Sequence, residues 1–234
     1  MKLTTQHLVT ILDGDLAADD HWKWHIEVVR EKSRIFIEEA RSKKHGDWDR
    51  RLIDELIDPD SPIFYINPQT LPPQVPQRFR DEFMLMAGTL SRIAGSTELL
   101  MDSYHELNEH LARLADGHYL HSLACRTIVT LQPEVFAMIM LDDLYGADGL
   151  FTLIERYVAD PHRPRPAVPA DRHRNWYGDN HALLLWMRQV WGPQHYVTAY
   201  ATHLLYVLRL FDGDNGKFMD RYAHCIRSAD PGRR

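Results

Sequence analysis

The 234-residue sequence lacks most of the features that assign a chain to a specialised class of protein. Its only two cysteines, Cys125 and Cys225, lie far apart in sequence, which excludes a disulfide-stapled scaffold and indicates reduced thiols. It has no glycine-rich phosphate loop, no Gly-x-Ser-x-Gly elbow and no Cys-x-x-Cys pair, so phosphoryl, acyl and zinc-finger chemistry have no motif here. The N-terminal segment also lacks the layout of a signal peptide. These absences together favour a cytoplasmic protein.

Long apolar runs and an excess of positive charge are missing as well. The longest apolar stretch, residues 196–211, is interrupted by His203 and Arg209 and is too short and too polar to span a bilayer. With 27 Lys and Arg against 33 Asp and Glu, the formal net charge is −6, which creates no overall field to attract nucleic acid. We therefore expect no membrane association and, without a local basic patch, no nucleic-acid partner.

What the sequence does contain is the composition of a folded globular protein with many histidines. Hydrophobic residues make up 44% of the chain and charged residues 26%, which suffices for an apolar core and a charged surface. The 14 histidines are the one compositional hint of function. The histidine clusters are therefore candidate metal-binding or catalytic groups.

Helical periodicity runs through most of the chain, and no stretch alternates apolar and polar residues for long enough to indicate a strand. The sequence therefore predicts an all-α protein, one bundle of about eight or nine helices that covers residues 1–234 as a single domain. One of the predicted helices, 194–211, is apolar on nearly every side, so it is expected to be buried among the others. The predicted helices span 16–44, 47–57, 77–116, 118–130, 133–145, 148–158, 180–190, 194–211 and 215–228.

Two proline-rich segments interrupt the helical pattern. Residues 59–76 contain six prolines, the first and the last of these residues included, and residues 161–170 contain four more. Such densities exclude helix and favour extended, polyproline-like geometry. Both segments are predicted to be straps on the surface of the bundle, and 161–170 is alternatively an internal linker.

The tidiest candidate metal site is a stripe of acidic residues and histidine on the predicted helix 77–116. Its members are Glu98, Asp102, His105 and Glu109. Carboxylates and histidine at such spacings are the ligands with which helical bundles hold two iron or manganese ions. On a helical wheel, however, the apolar residues of this helix are centred on the opposite side, so the stripe is expected to face water. A metal-dependent, diiron-like bundle enzyme stays an alternative, and no cofactor is assigned.

Two other histidine groups have metal-ligand spacing. His21 and His25 are one helical turn apart, but the glutamate of a His-Glu-x-x-His motif is missing. His118, His121 and Cys125 share one face of a predicted helix and are a better set of ligands. The simpler interpretations are aromatic packing for the first pair and a helix start with a buried cysteine for the second group.

One arginine and histidine pair resembles the motif of HEPN ribonucleases, in which Arg is followed after four to six residues by His. Arg174, followed by Asn175 and later by His181, fits this pattern, and the resemblance implies a helical RNase that uses Arg174 and His181 on RNA. With 21 arginines and 14 histidines, about four such pairs are expected by chance, and four are present. Arg174 and His181 are retained because they lie at a predicted loop-to-helix junction, where side chains converge on ligands.

The segment 171–181, DRHRNWYGDNH, is the first place where the sequence indicates ligand binding. It combines charged donors with aromatic faces, a mixture that binds anions, peptides or bases. The simpler alternative is a surface loop whose aromatic side chains pin it to the core. The candidate binding residues are Arg172, His173, Arg174, Trp176 and Tyr177.

His203 is the remaining candidate, because it lies within the apolar helix 194–211, beside Tyr200 and Tyr206. It is expected to be buried, either as a hydrogen-bonded core histidine or as a catalytic residue.

The missing catalytic motifs and the supply of aromatic side chains favour a non-catalytic function. Six Trp and ten Tyr residues are available for interfaces, where these residue types are enriched. We therefore expect a cytoplasmic helical protein that binds a partner protein as an adaptor, assembly or regulatory subunit. The diiron-like enzyme and the HEPN-like RNase are the alternatives, and only the RNase would have a nucleic-acid partner.

Overall fold

The computed structural model describes residues 2–42, 48–58, 61, 71–167, 172–192 and 200–229. Within these residues the protein is all-α, and the one β-type contact is a single parallel bridge between Leu3 and Val158. None of the described helices is both long and apolar enough to cross a membrane. The helices are α1 (Thr5–Ala18), α2 (Asp20–Ser42), α3 (Arg50–Ile57), α4 (Val75–Ile93), α5 (Met101–Leu114), α6 (His121–Leu131), α7 (Leu141–Leu144), α8 (Leu150–Tyr157), α9 (Arg172–Trp191), α10 (Tyr200–Gly213) and α11 (Asn215–Ala229).

The all-α prediction is confirmed, whereas eight or nine helices is too few, since the described residues form eleven. One additional helix is α1, which a reciprocal capping box starts. The side chain of Thr4 accepts a hydrogen bond from the His7 N–H (3.1 Å), and His7 Nδ1 accepts one from the Thr4 N–H (3.0 Å). The other arises because the predicted helix 77–116 is two helices, α4 and α5.

Gly95 separates α4 from α5. Its φ of +63° lies in the left-handed region, where residues with a Cβ are strained. Its N–H donates to the carbonyl of Leu131 (2.8 Å). A Cβ at this position would lie 2.9 Å from Cζ of Arg41 and 3.1 Å from Cγ2 of Ile37. The break therefore depends on contacts with α2 and α6, which the local helical pattern does not contain.

The predicted helix 133–145 is also wrong, because only Leu141–Leu144 is helical. The preceding residues form a buried loop whose backbone bonds to side chains of α9. The N–H of Ala137 donates to Oδ1 of Asn180 (2.7 Å), and the carbonyl of Ile139 accepts from Nε1 of Trp176 (3.2 Å). These tertiary hydrogen bonds replace the ones that a helix would have made.

The proline-rich segments are only partly covered by the structure. Residues 59–60, 62–70 and 168–170 lie outside the described part of the chain. Residues 163–167 have no regular structure, and Pro76 lies in the first turn of α4, where its missing N–H is tolerated. The two surface straps stay a prediction.

The chain divides into two compact units, Met1–Ile26 with Ala137–Arg234, and Glu27–Phe136. In the first unit, α10 packs against α1, α8 and α11, and α1 also packs against α9 and α11. In the second unit, α4 packs against α3, α5 and α6.

The burial predicted for the apolar helix 194–211 is confirmed for most of its described residues, although Thr202 and Tyr206 are exposed. Its side chains pack among those of α1, α8 and α11. The buried residues of α10 are Tyr200, Ala201, His203, Leu204, Leu205, Val207, Leu208 and Phe211.

Replacing Gly95 with Ala is expected to lower the free energy of unfolding by about 1–2 kcal/mol, because a Cβ strains left-handed backbone. Gly178→Ala is the matched control, since Gly178 lies inside α9 and an added Cβ there meets no atom within 4 Å. That change should raise the free energy of unfolding by about 0.5–1 kcal/mol. Urea denaturation of both variants measures the effects, and unchanged stability of Gly95→Ala would contradict the role given to this glycine.

Candidate functional site

Three helices of the first unit meet at the carboxylate of Asp15, near the end of α1. Its Oδ2 accepts hydrogen bonds from Nε2 of His203 on α10 (2.8 Å) and from the hydroxyl of Tyr222 on α11 (2.6 Å). Its Oδ1 accepts from Nη2 of Arg221 (3.3 Å). The side chains of Asp15 and His203 are only 12% and 7% exposed. Water therefore competes little with these bonds, and they hold α1, α10 and α11 together.

Helix geometry explains how residues so distant in sequence reach one carboxylate. Asp15 follows the buried Ile11 by four residues and the buried Leu12 by three, so it continues the apolar face of α1. Tyr222 follows the buried Phe218 by four residues and lies on the buried face of α11. Asp15, His203 and Tyr222 therefore lie on the core-facing sides of their helices, and Arg221 reaches the carboxylate from the surface.

The electrostatics of the cluster determine the protonation of Asp15 and orient the imidazole of His203. Burial alone would raise the pKa of Asp15, but the hydrogen bonds from His203 and Tyr222 and the charge of Arg221 outweigh burial and lower it. The carboxylate is therefore ionised at neutral pH and can only accept hydrogen bonds. Nε2 of His203 therefore carries a hydrogen and donates it to Asp15.

The same surroundings keep the hydroxyl of Tyr222 and the thiol of Cys225 protonated. Burial raises the pKa of Tyr222, and so do its hydrogen bond to Asp15 and the negative charge of that carboxylate. Burial and the charge of Asp15 also raise the pKa of the Cys225 thiol. Because the thiolate is the nucleophilic form of cysteine, Cys225 is poorly suited to attack a substrate.

A pocket in the first unit lies against the imidazole of His203. It is shallow, with an enclosed volume of only about 10 Å³, and is open to solvent. Trp22 contacts the imidazole edge-on, with ring centroids 4.4 Å apart, and the half-exposed ring of Tyr206 is stacked on it at 6.0 Å. Aliphatic and aromatic side chains form most of the wall. The lining residues are Leu12, Leu16, Trp22, Ile26, Tyr200 and His203.

The sequence predicted His203 as a candidate but did not predict the other residues of its hydrogen-bonded cluster. The expected burial of His203 is confirmed, since it is 6% exposed. Asp15, which bonds to His203, and Tyr222, which bonds to the same carboxylate, lie 188 and 19 residues from His203 in sequence, and for this reason they were missed. The available signal was an acidic residue on the apolar side of a helix, because a buried carboxylate requires donors from elsewhere in the fold.

The segment 171–181 is not the predicted loop-to-helix junction, because α9 is continuous from Arg172. A polar residue typical of loops, Asp179, can lie on the buried side of this helix because its carboxylate accepts hydrogen bonds from the hydroxyl of Tyr145 (2.6 Å) and the N–H of Ala167 (2.9 Å). Residue 171 lies outside the described residues.

The five candidate binding residues of this segment separate by exposure. Arg172, His173 and Arg174 are exposed in the first turn of α9. Trp176 and Tyr177 are buried, and their rings pack edge-to-face against each other at 5.4 Å. The aromatic faces that were expected to accompany the charges therefore point into the core.

The HEPN-like pair lies on a single helix. Arg174 and His181 are seven residues apart on α9, which places them on one side of the helix and about 10 Å apart along its axis. Their role in RNA cleavage stays a prediction.

The acidic and histidine stripe faces water, as the helical wheel predicted. Glu98, Asp102, His105 and Glu109 are all exposed, and Glu98 precedes α5 while the other three lie on it. His105 Nε2 and Glu109 Oε1 are 3.1 Å apart at the surface. Throughout the described ranges, no group of three or more His, Cys, Asp and Glu side chains is arranged to hold a metal ion.

The other two histidine groups match their simpler interpretations. His21 stacks on Trp24 with ring centroids 5.6 Å apart. In the second unit, His121 Nε2 lies 3.1 Å from the buried Sγ of Cys125, whereas His118 is exposed. Burial raises the pKa of the Cys125 thiol well above its ordinary value, so this thiol is protonated.

Comparisons with protein family models, with curated proteins and with solved structures give no match to this chain. The function is therefore inferred from the geometry of the Asp15 cluster and its pocket.

Asp15→Asn removes the charge that three donors share and is expected to lower the free energy of unfolding by about 2–3 kcal/mol, the range for hydrogen bonds to a charged group. Asp220→Asn, an exposed change on α11, should shift it by less than about 0.5 kcal/mol. Urea denaturation at pH 7 measures both, and equal effects of the two substitutions would refute the importance of the cluster.

The lowered pKa of Asp15 predicts loss of stability in acid. The folded pKa is below the ordinary value of 3.8, so the contribution is fully present above pH 3.8 and is lost as the pH falls through the folded pKa. The free energy of unfolding should therefore fall more steeply with acid in the wild type than in Asp15→Asn. Parallel pH curves for the two proteins would contradict this assignment.

Proposed function

We propose that the chain is a non-catalytic protein-binding subunit, an adaptor, assembly or regulatory protein, and that its partner binds over Tyr206 and the shallow pocket beside His203. The observation that carries the proposal is this surface, with its aliphatic and aromatic wall and the half-exposed Tyr206 next to the imidazole. Tyrosine is enriched in protein interfaces and among the residues that dominate their binding energy.

The shape of the pocket does not suit a metabolite. Sites for drug-sized small molecules have volumes of about 300–1,000 Å³. The pocket beside His203 encloses only about 10 Å³, about the space of one water, and the rest of it is open to solvent. A partner protein that lies over this shallow apolar surface suits the geometry better than a substrate that must be enclosed on most sides.

The chemistry of the cluster also favours binding over catalysis. The carboxylate of Asp15 already accepts three hydrogen bonds from protein side chains. Tyr222 and Cys225 both have raised pKa values and hold their protons. A cluster whose members bond to each other is suited to fixing the shape of a binding site.

The cysteines are consistent with function in a reducing compartment, so we place the protein in the cytoplasm. Cys125 and Cys225 are both free thiols, and both are buried. Neither requires an oxidising environment in order to fold.

Tyr206→Ser is expected to weaken capture of the partner at least about tenfold, the loss typical of an aromatic anchor residue. The immobilised protein is incubated with extract of the native host, and the partner is the band that the wild type retains. Leu185→Ser is the matched control, because Leu185 on α9 is 51% exposed and Tyr206 is 49% exposed. The control should retain the same band as the wild type. A band retained equally by the Tyr206 and Leu185 variants, or no band with the wild type, would argue against the proposal.

A further inference from the structure

A proline-containing segment at the surface of the first unit follows α8. Residues 161–167 have the sequence PHRPRPA and are mostly exposed. Both ends of this segment are attached to side chains of α9. Oδ2 of Asp160 accepts a hydrogen bond from Nε1 of Trp186 (2.6 Å), and the N–H of Ala167 donates to Oδ1 of Asp179 (2.9 Å). The residues between these two attachments are therefore held in place at both ends.

Covalent chemistry restricts the backbone of this segment to extended geometry. Pro164 and Pro166 fix their own φ at about −65°. Arg163 and Arg165 each precede a proline, which disfavours helical backbone at both of them. Residues 163–167 accordingly have no regular structure. Together these restrictions favour the polyproline II helix.

The spacing of the two attachments matches this conformation. The N–H of Arg163 donates to the carbonyl of Asp160 (3.3 Å), which places Arg163 beside the first attachment. From Arg163 to Ala167, four polyproline II steps span about 12 Å. Asp179 and Trp186 are seven residues apart on α9 and are therefore separated by about 10 Å along its axis. The segment is thus held at both ends without being bent out of polyproline II geometry.

The outward side of the segment makes no contact that the fold requires. Residues 165–167 are exposed, and within the described ranges the guanidinium of Arg165 has no hydrogen bond or ion pair. The carbonyls of residues 163–166 accept no hydrogen bond from any other described residue. Arg163 differs, because its Nη1 turns back and donates to the carbonyl of Asp160 (3.1 Å). One arginine thus supports the segment, and the other is available to a partner.

These features match the way in which polyproline II ligands are recognised. Such ligands bind in grooves lined by aromatic side chains. A ligand that is already ordered loses little conformational entropy when it binds. A carboxylate at the edge of the groove would pair with the guanidinium of Arg165 through charge-assisted hydrogen bonds.

We propose that residues 163–167 are a docking motif for a partner domain with an aromatic groove and an acidic pocket beside it, the chemistry of an SH3 domain. The ring of Pro166 packs in the groove, and Arg165 pairs with the acidic pocket. This inference goes beyond the proposed function, because it requires no contact at Tyr206.

The test titrates the full ¹⁵N-labelled chain with a purified SH3 domain whose acidic pocket binds the arginine of proline-rich peptides. Because proline has no N–H, the backbone amides of Arg165 and Ala167 are the reporters. We expect a dissociation constant below about 1 mM and the largest NMR shifts at these two amides rather than at Tyr206. The same SH3 domain with the tryptophan of its groove replaced by alanine should shift neither amide.

Two variants of the chain separate the parts of the motif. Arg165→Ala removes the charge-assisted hydrogen bonds, and Pro166→Ala removes the ring and the fixed φ, so each should weaken binding about tenfold. Arg227→Ala is the matched control, because Arg227 is an exposed arginine in the last turn of α11, and it should bind like the wild type. Circular dichroism checks folding. If a variant does not fold, the wild-type shifts with the two forms of the SH3 domain decide the question.

Three outcomes would overturn the inference. These are no shift of either amide at 1 mM SH3 domain, shifts that persist when the groove tryptophan is absent, and binding that neither Arg165→Ala nor Pro166→Ala weakens. Each of them leaves the proposed function intact if Tyr206→Ser still loses the partner that Leu185→Ser retains. Failure of the proposed function would instead appear in the capture experiment, which does not involve the SH3 domain.

Discussion

The buried charge of Asp15 constrains how the helices of the first unit pack. A carboxylate removed from water must be matched by donors, because an unpaired buried charge is strongly unfavourable. Here the donors come from His203 on α10 and from Arg221 and Tyr222 on α11. Packing of apolar faces would tolerate small rotations of these helices about their axes, whereas three hydrogen bonds to one group do not. The position of the imidazole, and with it the wall of the pocket, follows from this requirement.

The proposal of a binding rather than a catalytic role depends on how the polar atoms of the site are used. Its polar atoms are largely satisfied by each other, and its open volume is apolar. The many histidines of the chain do not act as a set, because those with metal-ligand spacing are exposed, stacked on tryptophan or paired with a buried thiol. One histidine, His203, combines burial, a hydrogen bond to Asp15 and a pocket. Among the candidate histidines, His203 is therefore the one that lies in the candidate site.

Patterns along the sequence predicted what depends on neighbours within a few residues. The helical class, the burial of α10 and the water-facing side of α5 all follow from a period of 3.6 residues. The turn at Gly95 did not, because it is fixed by Arg41 and Leu131, which lie on other helices. The buried loop before α7 and the burial of Asp179 on α9 likewise depend on side-chain hydrogen bonds across the fold, such as the one from Tyr145 to Asp179.

For the same reason, His203 was predicted from the sequence and the rest of the candidate site was not. A histidine within an apolar helix identifies itself from local sequence, and His203 was found in this way. Its partner Asp15 lies 188 residues away, and no periodicity connects the two. Sequence patterns alone could therefore identify the imidazole but not its hydrogen bond to Asp15 or the pocket.

The division of the chain has a consequence for the order in which the protein is made. The second unit is the continuous segment Glu27–Phe136, whereas the first combines Met1–Ile26 with Ala137–Arg234. A ribosome adds about 5–20 residues each second, so α1 emerges roughly 10–40 s before His203 is available to pair with Asp15. The second unit is thus synthesised completely before the first. Until α10 and α11 are made, α1 carries the charge of Asp15 on its apolar face without its donors. A chain that ends before α11 would lack Arg221 and Tyr222, and so two of the three donors that Asp15 requires.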